Sequence, residues 1–315
     1  MKHILITGGC GFIGTNLVRR LAARGDRLRV LDNLSTGSAG DIAEYGVQLM
    51  RGDILDAGAV RAAVKGKTAV VHLAAQTGVV PSQREPRVDF EVNARGTLEM
   101  LSASRDANVE SFVFASTGGA ILGEQMPPVD ETMAAHPLSP YGASKLAGEG
   151  YCAAFHGSFG LPTVALRFSN VYGPFSYHKG SVVAQFFKLI QEGQPLTMYG
   201  DGTQTRDFLY VDDLVDAVVA AIDSRLGGEV FHIASGVETS VNDLIAAMRD
   251  VLPGERLDID SAPARPGEVT RNFACIEKAT RMLDYRPRVT LRDGLRATWA
   301  WFQERGLPRT ASRGA

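Results

Sequence analysis

The sequence predicts an α/β protein, with a Rossmann-type, doubly wound parallel sheet followed by a smaller, mixed α/β C-terminal lobe. In the first half of the chain, short runs that are apolar throughout alternate with segments of helical periodicity. Strands that are apolar on both faces belong to parallel sheets covered by helices on each side. Beyond about Leu166 this rhythm loosens, and glycine and proline become frequent over residues 173–202. That change indicates a second lobe of different architecture.

The individual elements are predicted from their local patterns. Buried strands are predicted at Ile4–Thr7, Leu28–Leu31, Ala69–Leu73 and Ser111–Ala115. Helices are predicted where apolar residues recur every three or four positions, at Phe12–Ala23, Ala57–Val64, Asp89–Ser104, Pro140–Phe155, Val211–Ile222, Val241–Val251 and Leu291–Gln303. We divide the chain into a first domain over 1–170, a second over 171–306 that exchanges some chain with the first, and a flexible tail over 307–315.

The composition is that of an ordinary globular protein and argues against several other classes. The 315 residues are 45% hydrophobic and 22% charged, enough for a sizeable buried core. A net charge of −2 gives no basic field that would attract nucleic acid. Without a run of about 18 apolar residues, or a charged and then apolar leader, we expect neither a membrane helix nor a signal peptide. The three cysteines are far apart and lack metal-type spacing, so we expect a reduced, cytoplasmic setting with no disulfide and no metal site.

Residues 7–14, TGGCGFIG, lie between the first predicted strand and the first predicted helix. Gly8, Gly11 and Gly14 would allow a tight turn, a close approach of the backbone to a pyrophosphate, and close packing of helix against strand. The helix N-terminus would present its N–H groups and its dipole to the phosphates. Asp32 follows at the end of the second strand, where an acid binds a ribose 2′-hydroxyl. Because a carboxylate there repels a 2′-phosphate, the pattern favours NAD over NADP as the cofactor.

The segment SPYGASK, residues 139–145, places Tyr141 and Lys145 one helical turn apart with only small residues between them. A tyrosine has a pKa of about 10 and is a poor base at neutral pH. A neighbouring ammonium should lower the pKa of Tyr141, and a bound oxidised nicotinamide should lower it further. The pair could then move a proton on or off a substrate hydroxyl while a hydride moves to or from the cofactor.

Several ordered motifs together resemble the extended short-chain dehydrogenase/reductase family. They are the glycine segment, HLAAQ at 72–76, Asn93 in NARGT, ASTGG at 115–119, the Tyr141/Lys145 pair and RFSNVYGP at 167–174. The resemblance narrows to nucleotide-sugar enzymes, and most of all to UDP-hexose 4-epimerases, on DNLSTG at 32–37, GDGTQTRDFLYVDDL at 200–214 and ARPGE at 264–268. It extends from residue 1 to about residue 303.

The resemblance implies roles for particular residues. Catalysis would fall to Thr117, Tyr141 and Lys145. NAD would be bound by Gly8, Gly11, Phe12, Ile13, Gly14, Asp32, Asn33, Asp53, Ile54, Leu73, Ala74, Ala75, Asn93 and Ser116, together with Tyr141 and Lys145. The UDP-sugar would be bound by Thr117, Asn170, Lys179, Val183, Arg206, Arg265 and Glu268. Members of the family commonly pair through two helices, so we also expect a homodimer built on Asp89–Ser104 and Pro140–Phe155.

Two of these residues have a plainer alternative. Thr117, implied to hydrogen-bond the sugar O4, could instead be a turn residue that bonds its own backbone. Arg206, implied to hold the substrate diphosphate, could instead form a surface ion pair with Asp207 or Asp212. Leu122 also departs from the family, because many relatives carry a tyrosine before the glycine that is Gly123 here. This departure removes a polar contact near the substrate.

The reaction implied by the resemblance is inversion at C4 of a UDP-sugar of the glucose/galactose type. Oxidation by tightly bound NAD would give a transient 4-keto sugar, and return of the hydride to the other face would complete the inversion. A 4,6-dehydratase begins with the same oxidation, but family members with that activity carry Asp-Glu directly after the threonine, where this chain has Gly118-Gly119. A uronate decarboxylase typically carries a carboxylate in this loop. Both are therefore less favoured. A catalytically silent NAD-binding sensor is less favoured because the catalytic set, including Tyr141 and Lys145, is complete.

The sugar is left open between glucose, N-acetylglucosamine and glucuronate. The segment FSYHKGSVV at 175–183 contains two potential cations, His178 and Lys179. They could bind the diphosphate, bind a C6 carboxylate as in a UDP-glucuronate 4-epimerase, or lie in solvent as ordinary loop side chains.

Overall fold

The computed structural model describes residues 1–264 and 269–305. Its centre is a seven-stranded sheet in which every neighbouring pair of strands is parallel. The strands are β1 (His3–Thr7), β2 (Arg27–Asp32), β3 (Gln48–Arg51), β4 (Ala69–His72), β5 (Ser111–Thr117), β6 (Thr163–Phe168) and β11 (Glu229–Ile233). Their spatial order is β11-β6-β5-β4-β1-β2-β3. The direction of strand addition reverses between β1 and β4, and ligands of such sheets bind in the crevice at the carboxyl ends of these strands.

Helices cover both faces of the sheet. One face carries α1 (Phe12–Ala23) and α9 (Val211–Asp223), and the other carries α2 (Ala57–Val64), α5 (Gly96–Asp106) and α7 (Pro140–Phe159). Alternate residues of β1 show the division, since Ile4 and Ile6 pack with the first group and Leu5 packs with the second.

Shorter helical segments complete this first part of the chain. They are a 3₁₀ helix (Ala39–Tyr45), α3 (Val79–Arg84), α4 (Pro86–Asp89) and α6 (Gly118–Leu122). A π-helical turn (Phe90–Arg95) joins α4 to α5, so that the backbone stays helical from Pro86 to Asp106.

The second part of the chain contains short strands and further helices. The strands are β7 (Asn170–Tyr172), β8 (Leu196–Tyr199), β9 (Thr205–Arg206), β10 (Phe208–Tyr210), β12 (Thr239–Ser240) and β13 (Ile259–Ala262). They pair as β7 with β10 and β8 with β13 in parallel, and β9 with β12 antiparallel. The helices are α8 (Val182–Gln191), α10 (Val241–Val251), α11 (Glu277–Leu283) and α12 (Leu291–Arg305). Apolar residues of this part share one continuous cluster with α1 and α9.

The predicted Rossmann-type fold is confirmed, and α1, α2 and α10 have the predicted bounds. The strands β3, β6 and β11 were not predicted. Because β11 lies beyond residue 170 yet completes the sheet, the division into two domains at that residue stays a prediction. The predicted tail over 307–315 lies outside the described residues. Within residues 1–264 and 269–305, none of the helices has the length and apolar character needed to cross a membrane.

Candidate active site

The glycine segment forms a tight turn between β1 and α1. Gly8 has a φ of 68°, a left-handed conformation that favours glycine. A Cβ atom at Gly8 would lie 2.8 Å from the backbone nitrogen of Ala74, and one at Gly14 would lie 2.2 Å from the carbonyl oxygen of Gly8. The glycines therefore let the backbone after β1 touch the backbone after β4, and let α1 start directly against the turn.

The N-terminus of α1 faces this turn without a cap. The helix begins at Phe12 with Gly11 as its N-cap, and no side chain accepts a hydrogen bond there. The N–H groups of the first turn, including those of Phe12 and Ile13, have no acceptor within the helix. Together with the helix dipole, these donors fit the pyrophosphate of a dinucleotide.

The acid predicted to bind the adenine ribose lies at the end of β2. Asp32 is 8% exposed, and its carboxylate oxygens accept hydrogen bonds from the N–H groups of Cys10 (2.9 Å) and Leu34 (2.8 Å). Each oxygen keeps a further lone pair for a ribose hydroxyl. Beside it, the amide of Asn33 donates to the carboxylate of Asp53 (3.0 Å). The predicted cofactor residues after β2 and β3 thus come together at one edge of the sheet.

A directed chain of hydrogen bonds, not predicted from the sequence, connects the backbone that contacts the glycine turn to the π-helical turn. The Ala74 N–H donates to the Thr7 hydroxyl (3.2 Å), which contacts His72 Nδ1 (2.7 Å). His72 Nε2 contacts the Thr97 hydroxyl (3.1 Å), which donates to the carbonyl oxygen of Asn93 (2.6 Å). Since the Thr97 proton goes to Asn93, His72 donates from Nε2. Burial lowers the pKa of His72 to about 3, so the ring is neutral and its Nδ1 accepts from the Thr7 hydroxyl.

The Asn93 side chain ties the loop after β4 to α4. Its Oδ1 accepts from the Gln76 N–H (2.9 Å), and its Nδ2 donates to the Gln76 carbonyl oxygen (2.9 Å) and to the carboxylate of Asp89 (2.8 Å). Both amide protons are therefore used within the protein. Asn93 shapes the loop that carries Leu73 and Ala74, and a direct bond from its amide to NAD stays a prediction.

The start of α7 fixes Tyr141 in the first turn of the helix. Pro140 occupies the first helical position, and the Ser139 hydroxyl caps the helix by accepting from the Gly142 N–H (3.2 Å). A Cβ atom at Gly142 would lie 2.0 Å from the carbonyl oxygen of Ala120. This small residue between Tyr141 and Lys145 is therefore required by the contact between α7 and α6.

Lys145 lies inside the protein and is 3% exposed. Its Nζ donates to the carbonyl oxygen of Ala115 (2.8 Å) and lies 4.9 Å from the centroid of the Phe114 ring. Burial lowers the pKa of Lys145 to about 8, while the charges of Asp89 and Glu149 act in the opposite direction. The ammonium is thus held at the end of β5, on the same face of α7 as Tyr141.

The pKa of Tyr141 differs from the prediction. The residue is half-buried overall, but its phenol end is surrounded by protein. Desolvation first, and then the negative charge of Asp89, raise its pKa to about 12. The expectation that Lys145 lowers this pKa is wrong for the protein alone, because desolvation dominates. The protein alone therefore disfavours the phenolate near neutral pH.

The two hydroxyls at the end of β5 are used differently. Thr117 is the N-cap of α6, but its side chain makes no capping hydrogen bond. The structure therefore does not have the alternative in which Thr117 is a turn residue that bonds its own backbone. Ser116 is 3% exposed, and its hydroxyl donates to the carboxylate of Glu149 (2.6 Å). A role for Ser116 in binding NAD stays a prediction.

A buried ion pair, which was also not predicted, lies beside Ser116 at the end of β5. Arg167 donates from Nε and Nη2 to the Glu149 carboxylate at 2.8 to 3.2 Å, and the two side chains are 7% and 5% exposed. Tyr141, Lys145 and Glu149 recur every four residues and so share one face of α7. The spacing was a usable signal, but a glutamate on a helix is ordinarily solvated and gave no reason to expect burial.

Two residues predicted to hold the substrate diphosphate lie close together. Asn170 is exposed at the start of β7, and its N–H donates to the carbonyl oxygen of Asp207 (2.9 Å), the residue after Arg206. Arg206 donates to the carbonyl oxygen of Val269 (2.8 Å). The Asp207 carboxylate, considered above as an ion-pair partner, is fully buried and accepts from the N–H and hydroxyl of Ser235 (2.7 Å each).

Lys179 is not an ordinary solvated side chain, so that alternative is wrong for this residue. Its Nζ donates to the carbonyl oxygen of Val171 (3.1 Å) and lies 5.1 Å from the centroid of the Phe12 ring. The residue as a whole is half-buried, but its ammonium end is inside, and burial lowers the pKa of Lys179 to about 8. The neighbouring His178 is exposed. The structure thus places a buried cation beside the first residue of α1.

The remaining predicted residues contribute backbone or core. The side chains of Ile54 and Val183 are 5% and 1% exposed, which leaves mainly their backbones for a ligand. Leu122, which replaces the tyrosine of many relatives, packs in a small apolar cluster with Val129, Ala234 and Ala274. Arg265 and Glu268 lie outside the described residues.

Fold and site together define a dinucleotide-dependent enzyme with a tyrosine–lysine pair. The sequence model of the NAD dependent epimerase/dehydratase family matches residues 4–234. The UDP-glucose 4-epimerase of Mycolicibacterium smegmatis is 36% identical over 309 residues, which are 96% of this chain and 98% of that protein. The chain belongs to the NAD dependent epimerase/dehydratase family, and the prediction of NAD is confirmed.

Two solved structures of similar proteins cover nearly the whole chain. The UDP-glucose 4-epimerase of Thermus thermophilus, in complex with NAD, is 38% identical with a TM-score of 0.89. That of Thermotoga maritima, with UDP-glucose, is 36% identical with a TM-score of 0.91. Each match covers 96% of this chain and 99% of the other.

Proposed function

We propose that this chain is a UDP-sugar 4-epimerase of the UDP-glucose/UDP-galactose type. The observation that carries the proposal is the end of β5, where Thr117 is followed by two glycines in restricted space. A Cβ atom at Gly118 would lie 3.0 Å from the His232 ring, and one at Gly119 would lie 2.8 Å from the amide nitrogen of Asn272. A dehydratase needs an acid and a base to remove the C5 proton and expel the C6 hydroxyl. The loop offers neither at these positions and has little room for them.

The residues of the site fit oxidation and reduction at C4. NAD, held by the glycine turn and Asp32, would supply reversible hydride transfer at C4 of the sugar. Tyr141 takes the proton of the 4-hydroxyl and gives it back. Lys145, held by the carbonyl oxygen of Ala115, supplies positive charge one helical turn away, and Thr117 orients the sugar O4. Inversion requires that the sugar turn over between the two transfers, so the same residues serve both.

A UDP-glucuronate 4-epimerase is the second candidate, and the buried ammonium of Lys179 favours it. A cation that has lost its hydration gains strongly from an anionic partner, and a C6 carboxylate would be such a partner. Under this candidate, Lys179→Met abolishes turnover of UDP-glucuronate and spares UDP-glucose. Lys188→Met is the control for packing of the same loop, because Lys188 donates to the carbonyl oxygen of Lys179 (3.3 Å) and lies over the Tyr177 ring. Equal loss on both sugars in Lys179→Met would assign Lys179 to the diphosphate they share.

The direct test is to supply candidate substrates and identify the product. Purified protein, with no NAD added, would be incubated separately with UDP-glucose, UDP-N-acetylglucosamine and UDP-glucuronate, and the anomeric and H4 signals followed by NMR. We expect a product inverted at C4 without net formation of NADH. A 4-keto-6-deoxy sugar or released CO₂ would instead identify a lyase. Absence of any conversion, with NAD then supplied, would refute a UDP-sugar epimerase acting on these three sugars.

A homodimer is proposed from the exposed apolar side chains of two helices. Val88 and Phe90, on α4 and the π-helical turn, are 44% and 58% exposed. Tyr151 and Phe159, on α7, are 40% and 54% exposed. Large apolar side chains that recur on adjacent helices are typical of a protein interface. Phe90 and Tyr151 lie within the two ranges that we expected to pair, Asp89–Ser104 and Pro140–Phe155, and Val88 and Phe159 lie just outside them.

A further inference from the structure

Asp89 is a buried acid that the mechanism above does not use. It is the last residue of α4, where the backbone passes into the π-helical turn, and it is 1% exposed. Its Oδ1 accepts a hydrogen bond from Asn93 Nδ2 (2.8 Å). Its Oδ2 has no hydrogen-bond partner among the residues that the structure describes. A buried carboxylate that is only half satisfied opposes folding, so its position requires another explanation.

The titratable groups on which the charge of Asp89 acts lie on α7. This helix packs against α4 and the π-helical turn, and the two groups are Tyr141 and Lys145, with Glu149 and Cys152 also acting on Lys145. Helix α3 packs against α4 as well, but its charged residue Arg84 is exposed. His72 on β4 also feels the charge of Lys145, but its ring is neutral. The cation of this group is therefore Lys145, and its acids are Asp89 and Glu149.

The two acids are not equivalent. Glu149 is already paired with the guanidinium of Arg167 in a buried two-point contact. Asp89 has an amide, not a cation, as its hydrogen-bond partner. Its negative charge is thus the less compensated of the two and acts on both Lys145 and Tyr141. Because Asn93 also holds the loop after β4 through Gln76, the carboxylate is fixed to the part of the site that bears the predicted cofactor residues.

Building on the proposed function, we infer that Asp89 is a positioning residue for proton transfer that acts through its charge: it favours the ammonium of Lys145 and opposes the phenolate of Tyr141. Tyr141 then stays protonated, and Lys145 stays charged, until further positive charge enters the site. Asp89 thereby restricts formation of the reactive Tyr141 phenolate to the enzyme that has its cofactor bound.

The first test is the pH dependence of kcat/KM for UDP-glucose in Asp89→Asn. Without the negative charge, Tyr141 ionises more easily and Lys145 loses its proton more easily. Both the acid and the alkaline limb should therefore move to lower pH, each by about one pH unit. Asp89→Glu retains the charge and should keep the wild-type limbs. Glu91→Gln is the matched control, since Glu91 lies two residues away but is 45% exposed and paired with Arg95. A uniform loss of activity in Asp89→Asn, with both limbs in place, would show a purely structural role and overturn the inference.

The second test needs neither substrate nor cofactor. Tyrosine labelled with ¹³C at the ring carbon that bears the hydroxyl would be titrated by NMR in the protein freed of NAD, with Tyr141→Phe to assign the signal. Tyr141 should begin to ionise about one pH unit lower in Asp89→Asn than in the wild type. An unchanged titration would overturn the inference whatever the enzyme converts. A shifted titration in a protein that converts no UDP-sugar would support the action of Asp89 on Tyr141 and refute the proposed function alone.

Discussion

The buried, neutral ring of His72 should make the protein lose stability as the pH falls below 6.5. In the folded state His72 stays neutral down to about pH 3, because burial lowers its pKa from the ordinary value of 6.5. The unfolded chain takes up a proton at that ordinary value. Between these two pH values the unfolded state therefore binds more protons, and the free energy of unfolding falls as the pH falls. At pH 5, one and a half pH units below 6.5, the loss due to His72 is about 2 kcal/mol.

His72→Gln should remove this contribution. The glutamine amide can still donate to Thr97 but cannot titrate, and the Thr7 hydroxyl loses its acceptor, which costs about 1–3 kcal/mol at pH 8. Urea unfolding of both proteins between pH 8 and pH 5 gives the difference in their free energies of unfolding. We expect this difference to shrink by about 2 kcal/mol over that range, because the wild type alone loses the contribution of His72.

The same unfolding measurements between pH 8 and pH 5 provide a control variant and the result that would refute the prediction. His178→Gln removes an exposed ring and should keep the pH dependence of the wild type. His232 is also buried and has a pKa lowered to about 4, but it is present in all three proteins and cancels in the differences. Equal pH dependence in the wild type and His72→Gln would refute a neutral His72, and with it the directed hydrogen-bond chain from Ala74 to Asn93.

Three further predictions concern Tyr141, the glycines after Thr117 and the exposed apolar side chains of the helices. Tyr141→Phe should lower kcat by about 10²- to 10⁴-fold with little change in thermal unfolding; a smaller loss would assign the proton transfer elsewhere. Gly118→Asp should destabilise the protein by about 1–3 kcal/mol, and NMR should detect no 4-keto-6-deoxy sugar among its products. Gly150→Asp is the control and should be tolerated, because nothing lies within 4 Å of the Cβ position there. Phe90→Glu should give monomers in analytical ultracentrifugation and Val237→Glu, at the same 58% exposure, should not; monomers in the wild type would contradict the proposed dimer.

The fold could be predicted where the pattern of a segment is local. The bounds of α1 and α2 follow from apolar periodicity, and β1 and β4 follow from runs that are buried on both faces. Among the missed strands, β3 is four residues long and has no fully buried residue. Strand β11 is short and contains a glutamate and a histidine, and it pairs with β6, more than sixty residues earlier. Nothing within such a segment distinguishes it from a loop until its partner is known.

The same distinction applies to the candidate site, where features within one segment could be predicted and contacts between elements could not. The glycine turn and the Tyr141/Lys145 pair are local spacings and were found. The supporting contacts join residues of different elements, such as His72 with Thr97 and Glu149 with Arg167, and were not. Their only local trace is polar side chains that recur every four positions along a helix, a pattern that an ordinary solvated face also produces.

The predicted direction of the Tyr141 pKa shift was wrong, because residue spacing within one helix does not include the effects of the surrounding protein. Spacing brings an ammonium within one turn of the phenol and so predicts a lower pKa. The direction of the shift in the folded protein depends on the residues that surround the phenol and on Asp89, which lies on another helix. Both are tertiary properties, and both oppose ionisation. Under the proposed function, the tyrosine that would act as a base is therefore kept protonated in the protein alone, and positive charge supplied by a bound cofactor would be needed to favour its ionisation.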